Sequence, residues 1–268
     1  MTIHLRELRI DLNRAQKPGY PLNLPVITHL SAMKFASSVT IFVGENGSGK
    51  STLLEAIAKS AGSINIGSDE LDQDPSLQPV QPLVDKMKLT WNKRVHRGFF
   101  LRAEDFFGYI KRMCVLRKSM QEELNRIDDD YRNRSNAAKA YAKMPAVSSL
   151  LGMDQRYGHD LDAYSHGESF LTLFQSRFVP GGLYLLDEPE AALSPMHQLG
   201  LIAMIKSMLS EDSQFIIATH SPIIMEMPGA QLMDFDQAPP VESTYDELEH
   251  VRLFRLFMED PQAFIEKL

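Results

Sequence analysis

The sequence predicts an α/β fold with a mainly parallel central sheet. The runs Val39–Val43, Leu183–Leu186 and Gln214–Thr219 are short and largely apolar, which is typical of strands buried on both faces of a parallel sheet. The first two runs are each followed by a stretch with helical spacing, and this alternation favours β-α-β units. A glycine-rich stretch separates the first run from its helix, so we expect a tight turn there.

The residues before the first buried strand predict a small antiparallel β flank. Ile3–Leu12 alternates apolar and polar residues in part, which indicates an opening strand. Lys17–Pro21 contains two prolines and a glycine and predicts a turn. Val26–Leu30 is predicted as a second strand, and the two strands together would form the flank.

The region between the glycine-rich stretch and residue 101 predicts one loop and two strands. Gly62–Pro82 is rich in glycine, proline and small polar residues, which favours an irregular loop. Lys86–Trp91 alternates well enough for a strand, and Gly98–Leu101 is a second, largely apolar candidate.

A helical insertion is predicted at about residues 104–164. From Phe106 to about Tyr131, apolar residues recur every three or four positions, as they do in an amphipathic helix. Ala137–Met153 has a weaker helical pattern, and we expect it to break at Pro145. The length suits a single domain over residues 1–268 that contains this insertion.

The last third of the chain predicts further helices. Gly167–Phe178 and Pro195–Leu209 have helical spacing, and the second starts with proline after a serine suited to capping. Gln231–Phe235 predicts a short strand. Val241–Leu268 is acidic and amphipathic, which predicts C-terminal helices at about 241–268, separated at Pro261.

The composition is that of a globular protein in a reducing compartment. The 268 residues are 44% hydrophobic, enough for a large core without a metal or disulfide. The single cysteine, Cys114, cannot form an internal disulfide, and the charged start of the chain does not resemble a signal peptide. No apolar run reaches the length of a membrane span, so we expect a cytoplasmic protein.

The charge pattern leaves one question about partners open. The net charge of −7 argues against a protein coated with nucleic acid as its default state. Lys86–Lys118, however, holds ten lysines or arginines against two acids. Such a run is either a solvated face or a contact for DNA.

The glycine-rich stretch Gly44–Thr52 reads G-E-N-G-S-G-K-S-T and fits the spacing of a phosphate-binding loop. Glycines let backbone N–H groups approach an anion, and the N-terminus of the following helix adds its positive dipole end. The lysine supplies a charge for the outer phosphates, and the serine hydroxyl can bind Mg²⁺. The residues predicted to bind the nucleotide here are Asn46, Gly47, Ser48, Gly49, Lys50, Ser51 and Thr52.

Polar residues follow two of the predicted buried strands. Asp187 and Glu188 end the strand at 183–186, and His220 follows the strand at 214–219. Ligands of open α/β sheets bind at the carboxyl ends of strands, so these side chains are expected near the phosphate loop. Asp187 would share Mg²⁺ with Ser51, Glu188 would orient or deprotonate a water, and His220 would contact the γ-phosphate.

The segment S-H-G-E-S, which begins at Ser165, precedes a predicted helix. Ser165 can cap that helix, and Gly167 permits the close approach of an anion. Taken alone, the segment is only a helix start.

The segments G-E-N-G-S-G-K-S-T, S-H-G-E-S, L-Y-L-L-D-E-P-E-A-A-L-S and A-T-H-S-P occur in this order, which resembles the ABC-type ATPase head. In that family they are the Walker A motif, the signature, the Walker B motif with its D-loop, and the H-switch. The resemblance covers Ile3 to about Asp236. It implies a P-loop NTPase fold of ABC type, an ATPase activity, and ATP and Mg²⁺ as ligands.

The resemblance also implies a shared site in a homodimer. Two heads would pack head to tail around two ATP molecules in an ATP-dependent way. Lys50 and Ser51 of one copy and Ser165 and Gly167 of the other would contact the same γ-phosphate. Glu188 would act on water, and His220 would stabilise the transition state.

Three segments depart from the family pattern: the signature, the D-loop, which reads A-L-S-P rather than S-A-L-D, and the loop after the strand at 98–101. The signature has His166 where transporters usually have glycine and Glu168 where they usually have glutamine. The family's metal-contacting glutamine, expected after the strand at 98–101, is replaced in that neighbourhood by Arg102 or Glu104. The sequence assigns no aromatic residue to the adenine, and Tyr20 is a candidate for that contact.

The form of the motifs resembles a bacterial group of ATPases related to the repair and overcoming-lysogenisation-defect ATPases. The separation of Ser51 from Ser165 leaves room for a short insertion but not for a long coiled coil, so we expect a minimal, stand-alone head. Three hypotheses follow: an ATPase that drives or gates an unknown protein partner, on DNA or in phage defence; the ATP-binding subunit of a transporter, with a membrane permease; and a non-hydrolysing nucleotide switch.

Overall fold

The computed structural model describes residues 2–12, 19–65, 77–157 and 166–266. Its strands are β1 (Leu5–Ile10), β2 (Ala32–Lys34), β3 (Val39–Val43), β4 (Ile64–Asn65), β5 (Met87–Trp91), β6 (Gly98–Arg102), β7 (Leu183–Asp187), β8 (Gln214–Ala218), β9 (Gln231–Asp234) and β10 (Val241–Ser243). Its helices are α1 (Pro25–His29), α2 (Lys50–Ala61), α3 (Gln81–Val84), α4 (Ala103–Asp130), α5 (Asn136–Tyr157), α6 (His166–Arg177), α7 (Pro195–Leu209), α8 (Pro222–Met225), α9 (Glu249–Glu259) and α10 (Pro261–Ile265).

A mainly parallel sheet forms the centre of the fold, as predicted. Its strand order is β10-β9-β3-β8-β7-β6-β4, and every neighbouring pair is parallel except β10 with β9. In the register of the sheet, Arg102 lies opposite Asp187, and Asp187 lies opposite Ala218. The carboxyl ends of β6, β7 and β8 therefore meet at one edge, where ligands of such sheets bind.

The two faces of the central sheet bury separate apolar cores. Ile41 of β3 belongs to the core formed with α6 and α7, together with Phe174 and Leu201. Phe42 points the other way and packs with Leu53 of α2. This alternation is the period of two that a strand imposes, and each buried side chain of this size contributes about 1.5–3 kcal/mol.

The antiparallel flank is present, but one of its predicted strands is wrong. Its strand order is β2-β1-β5, so Lys86–Trp91 supplies one partner of β1 and residues 32–34 supply the other. Val26–Leu30, predicted as a strand, lies largely in α1 instead. Pro25 occupies the first turn of that helix, and the Thr28 hydroxyl donates to the Leu24 carbonyl at 3.0 Å. A five-residue helix is too short to show a helical period in its sequence.

A buried glutamine links the flank to the central sheet. Gln214 of β8 accepts hydrogen bonds through Oε1 from the backbone N–H groups of His4 and Leu5, at 2.9 and 2.8 Å. Its Nε2 donates to the Leu5 carbonyl at 3.0 Å. The start of β1 is thereby fixed against the central sheet by one fully buried side chain.

The helices α4 and α5 occupy the region of the predicted insertion and pack against each other. Arg117 of α4 forms an ion pair with Asp154 of α5 at 2.6 Å. The predicted break at Pro145 is wrong, because α5 runs through it. Pro145 is exposed, so water can satisfy the carbonyl that a proline cannot bond. The insertion limits of 104–164 and the single domain stay predictions.

Two further segments differ from their predictions. The predicted C-terminal helices correspond to α9 and α10, but the segment begins with β10, which pairs antiparallel with β9. A three-residue edge strand has too few residues to show an alternating pattern. The predicted loop 62–82 contains β4 and the start of α3. Residues 66–76 of this loop lie outside the described ranges. Part of the predicted turn 17–21 lies outside them as well. Among the described residues, no helix is long and apolar enough to cross a membrane.

Candidate functional site

The phosphate loop connects β3 to α2, and its glycines adopt conformations that other residues rarely adopt. Gly44 has φ 142° and Gly49 has φ 99°. A Cβ on Gly49 would lie 2.6 Å from Cγ1 of Val26, so α1 also closes the space beneath the loop. The first turn of α2, with its unpaired N–H groups, follows directly and can bind an anion.

Lys50 is bound by the loop itself. Its Nζ donates to the carbonyls of Gly44 and Glu45 at 2.7 and 2.9 Å, and the residue is only 4% exposed. Burial lowers the pKa of Lys50, while the nearby carboxylates, Glu188 foremost, oppose that shift. A phosphate oxygen can replace either carbonyl as the partner of this ammonium group.

Ser51 and Asp187 meet although they are far apart in the sequence. Ser51 Oγ donates to Asp187 Oδ1 at 2.9 Å, which joins the first turn of α2 to the end of β7. Asp187 is 7% exposed, and its burial raises its pKa to about 7 in spite of this hydrogen bond. A buried carboxyl group with a raised pKa beside a phosphate loop is typical of a functional site.

The hydroxyl and carboxylate oxygens of Ser51 and Asp187 fit Mg²⁺, which prefers hard oxygen ligands. The described residues contain no group of three or more His, Cys, Asp or Glu side chains able to hold a metal ion. Mg²⁺ usually takes one or two protein ligands together with phosphate oxygens and water.

Glu188 and His220 lie side by side next to this pair. Glu188 has a left-handed backbone, with φ 49° and ψ 49°, which is a strained conformation for a residue with a side chain. Its Oε1 lies 3.7 Å from Nε2 of His220, which is beyond a hydrogen bond. The Glu188 side chain is 46% exposed, so a carboxylate base faces solvent at the edge of the sheet.

Two cavities adjoin Glu188, and Ser51 lines both of them. The first has a volume of about 240 Å³ and is lined by Tyr20, Leu24, Asn46, Gly47, Gly49, Lys50, Ser51, Thr52 and Glu188. The second has a volume of about 450 Å³ and is lined by Ser51, Glu55, Arg102, Ala103, Glu104, Asp187, Glu188 and Ala191. The Tyr20 hydroxyl lies 3.2 Å from Thr52 Oγ1, so the adenine candidate is at the mouth of the phosphate loop, and its role stays a prediction.

Arg102 is one of the two residues, with Glu104, in the neighbourhood where the family pattern led us to expect a metal-contacting glutamine. Its Nη1 lies 3.2 Å from Glu55 Oε1, and its Nε donates to Asp105 Oδ2 at 2.8 Å. Burial raises the pKa of Glu55, and the charge of Arg102 opposes that shift. A guanidinium group carries no lone pair for a metal, so Arg102 cannot replace the glutamine as a ligand.

The structure does not test the opposite face of the proposed shared site. Ser165 lies outside the described residues, and Gly167 falls in the first turn of α6. By contrast, the residues at 46–52, Asp187, Glu188 and His220 all lie around one edge of the sheet.

Sequence reasoning missed two residues at this edge. Glu55 lines the larger cavity one helical turn after Ser51, a spacing that could have identified it. Glu190 accepts hydrogen bonds from the backbone beside His220, and its only sequence signal is the second carboxylate of D-E-P-E.

Comparisons with known proteins agree with this geometry. Residues 29–191 match the family model described as ABC transporter, and residues 169–226 match the model described as AAA domain, putative AbiEii toxin, Type IV TA system. No curated protein sequence is significantly similar to the chain.

Several solved structures are similar to the chain at low identity. A nucleotide-free ATP-binding cassette from an ABC transporter has 15% identity and a TM-score of 0.46, with 97% of each chain covered. The SmcHead bound to the C-winged helix domain of ScpA has 16% identity and a TM-score of 0.44, over 92% of this chain and 99% of that one. The SMC head domain from Thermotoga maritima has 18% identity and a TM-score of 0.42, over 87% and 94%.

The ABC transporter model covers more than half of the chain, from α1 to the turn after β7. Its range includes the phosphate loop, Asp187 and Glu188. The protein therefore belongs to the ABC-type ATPase family and is an ABC-type nucleotide-binding head.

Proposed function

We propose that the protein binds ATP with Mg²⁺ and hydrolyses it to ADP and phosphate. The observation that carries this proposal is the 2.9 Å hydrogen bond from Ser51 Oγ to Asp187 Oδ1. It brings a candidate metal-binding carboxylate to the phosphate loop, and Glu188 follows at the next position. A loop that bound only a phosphate would have no use for this second carboxylate.

The residues of this chain would act by positioning and by charge. Backbone N–H groups of the loop and the first turn of α2 would bind the phosphates, and Lys50 would donate to the outer ones. Ser51 and Asp187 would hold Mg²⁺, which when bound neutralises phosphate charge. Glu188 would accept a proton from the attacking water, and His220 would donate a hydrogen bond to a γ-phosphate oxygen.

The hydrolysis test uses phosphate release with and without Mg²⁺. We expect Glu188→Gln to lower kcat by about 100-fold or more while ATP affinity changes little, because the amide keeps the shape but not the basicity. Glu259→Gln, on the exposed part of α9, is the matched control and should behave like the wild type. Unchanged phosphate release in Glu188→Gln would contradict the proposal and favour the non-hydrolysing nucleotide switch.

A head-to-tail homodimer that forms on ATP would complete this site. The Glu188 side chain and the phosphate loop border cavities that open to solvent, which leaves room for a second copy over the γ-phosphate. Ser165 and Gly167 of that copy would supply the remaining contacts. Size-exclusion chromatography of Glu188→Gln with ATP and with ADP tests the dimer, and a monomer under both conditions would contradict it.

The partner that the head drives or gates is to be found by experiment. Of the basic residues at 86–118, Arg102 is buried and Arg117 is paired with Asp154, while the others are exposed. This exposed set is the surface that would contact DNA. Filter binding of DNA across a salt series tests this contact. Retention that does not depend on salt would exclude DNA as a partner. Co-purification of a permease would favour the transporter subunit.

A further inference from the structure

We infer that Glu190 is a positioning residue for His220, acting through the backbone of the turn that follows β8. Glu190 Oε1 accepts hydrogen bonds from the backbone N–H groups of His220 and Ser221, at 2.6 and 3.1 Å. Glu190 itself lies in the short 3₁₀ turn Pro189–Ala192 that follows β7. The inference rests on the proposed function, because positioning matters only if His220 meets the nucleotide.

In the turn that carries His220, the next residue, Ser221, makes more hydrogen bonds than the histidine does. Ser221 caps α8, since its Oγ accepts from the N–H groups of Ile223 and Ile224. The same hydroxyl donates to the side chain of Gln198 in α7. In the described part of the chain, the acceptor that the structure gives to the His220 N–H is Glu190. Glu190 is therefore the contact that sets the backbone at the histidine.

The same carboxylate links the histidine to the candidate base. Glu190 follows Glu188 by two residues, and the Glu188 N–H donates to the carbonyl of Ala218 at the end of β8 at 2.9 Å. One hydrogen bond therefore runs from the β7 turn to β8, and two run back from the β8 turn to Glu190. This reciprocal pairing places Nε2 of His220 at 3.7 Å from Oε1 of Glu188.

Two polar atoms in this cluster are buried without a partner among the described residues. They are Oε2 of Glu190 and Nε2 of His220. Leaving a buried polar group without a partner is unfavourable, so each such group calls for an explanation, and a functional role is one. The ring nitrogen thus keeps an unused hydrogen-bonding capacity beside Glu188.

The test is a double-mutant cycle measured by ATP hydrolysis. We expect Glu190→Ala to lower kcat by about 10- to 100-fold with KM for ATP nearly unchanged, because a small misplacement of a catalytic group has effects of this size. Glu190→Gln should recover most of that rate, since its amide oxygen can accept the same two hydrogen bonds. In a protein that already carries His220→Ala, Glu190→Ala should cause no further loss.

A second measurement follows the turn directly, in the protein without nucleotide. Amide hydrogen exchange in the peptide that spans residues 214–226 should be faster in Glu190→Ala and close to wild type in Glu190→Gln. If Glu190→Ala does not fold, Glu190→Asp takes its place, because its carboxylate is one methylene too short to reach both N–H groups.

The outcomes separate this inference from the proposed function. The inference is overturned if Glu190→Ala lowers kcat by the same factor with and without His220, or does not lower it. If the wild type binds ATP but does not hydrolyse it, the proposed function fails, and the inference is tested by nucleotide affinity instead. Glu190→Ala should then lower the affinity for ATP but not for ADP. Equal effects on the two affinities would overturn the inference.

Discussion

Asp187→Asn should make the nucleotide-free protein more stable at neutral and alkaline pH. Asp187 is almost fully buried, and burial raises its pKa to about 7 from an ordinary value of 3.8. The folded state therefore binds this proton more tightly than the unfolded state does. The stability that comes from this proton is fully present below the unfolded pKa and is lost as the pH rises through the folded pKa.

The size of the effect follows from the difference between the two pKa values. One pKa unit corresponds to 1.36 kcal/mol, so between pH 5 and pH 8 the wild type should lose about 3 kcal/mol through this group. Asparagine has the same shape and no charge, and its carbonyl oxygen can still accept the hydrogen bond from Ser51. The stability advantage of the variant should therefore grow by the same amount over this range.

The assay is urea unfolding of both proteins in EDTA, repeated at several pH values between 5 and 8.5. Glu104→Gln is the control, because the Glu104 side chain lines the same cavity but is 75% exposed, and its pH profile should follow the wild type. Addition of Mg²⁺ and ATP should make the wild type more stable than Asp187→Asn, since a bound cation favours the ionised carboxylate of the wild type. A difference that does not change with pH, or a variant that is less stable at pH 8, would refute the reasoning.

Three other substitutions test the surroundings of the site by unfolding. Gly49→Ala should lower the free energy of unfolding by about 1–3 kcal/mol, because Gly49 has a positive φ and an added Cβ would lie 2.6 Å from Val26. Gly152→Ala inside α5 is the control: its added Cβ has no atom within contact distance, so the change should be neutral or stabilising. Arg102→Gln should lower the free energy of unfolding by about 3 kcal/mol, because it leaves the partly buried carboxylate of Glu55 without its ion pair. Adding Glu55→Gln should recover part of that loss, and independent, additive effects would show that the pair is not coupled. Gln214→Leu should lower the free energy of unfolding by about 2 kcal/mol or more, because the backbone N–H groups of His4 and Leu5 lose their acceptor. A smaller loss would mean that water replaces it.

The sequence alone was sufficient to predict the parallel strands at the centre of the sheet and the candidate residues at their carboxyl ends. The buried runs at 39–43 and 183–186 are strands because continuous apolar residues must be covered on both faces. The loop at 44–52 could be identified because phosphate binding needs particular residues at fixed, local spacing. Asp187, Glu188 and His220 follow strands directly, so the topology of a parallel sheet was enough to place them together.

Tertiary structure decided the features that depend on contacts between distant residues. Residues 25–29 are a helix and 241–243 a strand because of what they pack against or pair with, and such short segments carry no period of their own. The ion pair of Arg102 with Glu55 and the hydrogen bonds that Glu190 accepts from the His220 turn join residues whose separation in sequence carries no signal. Local chemistry thus determined where a phosphate would bind, and long-range packing determined which side chains hold the catalytic candidates in place.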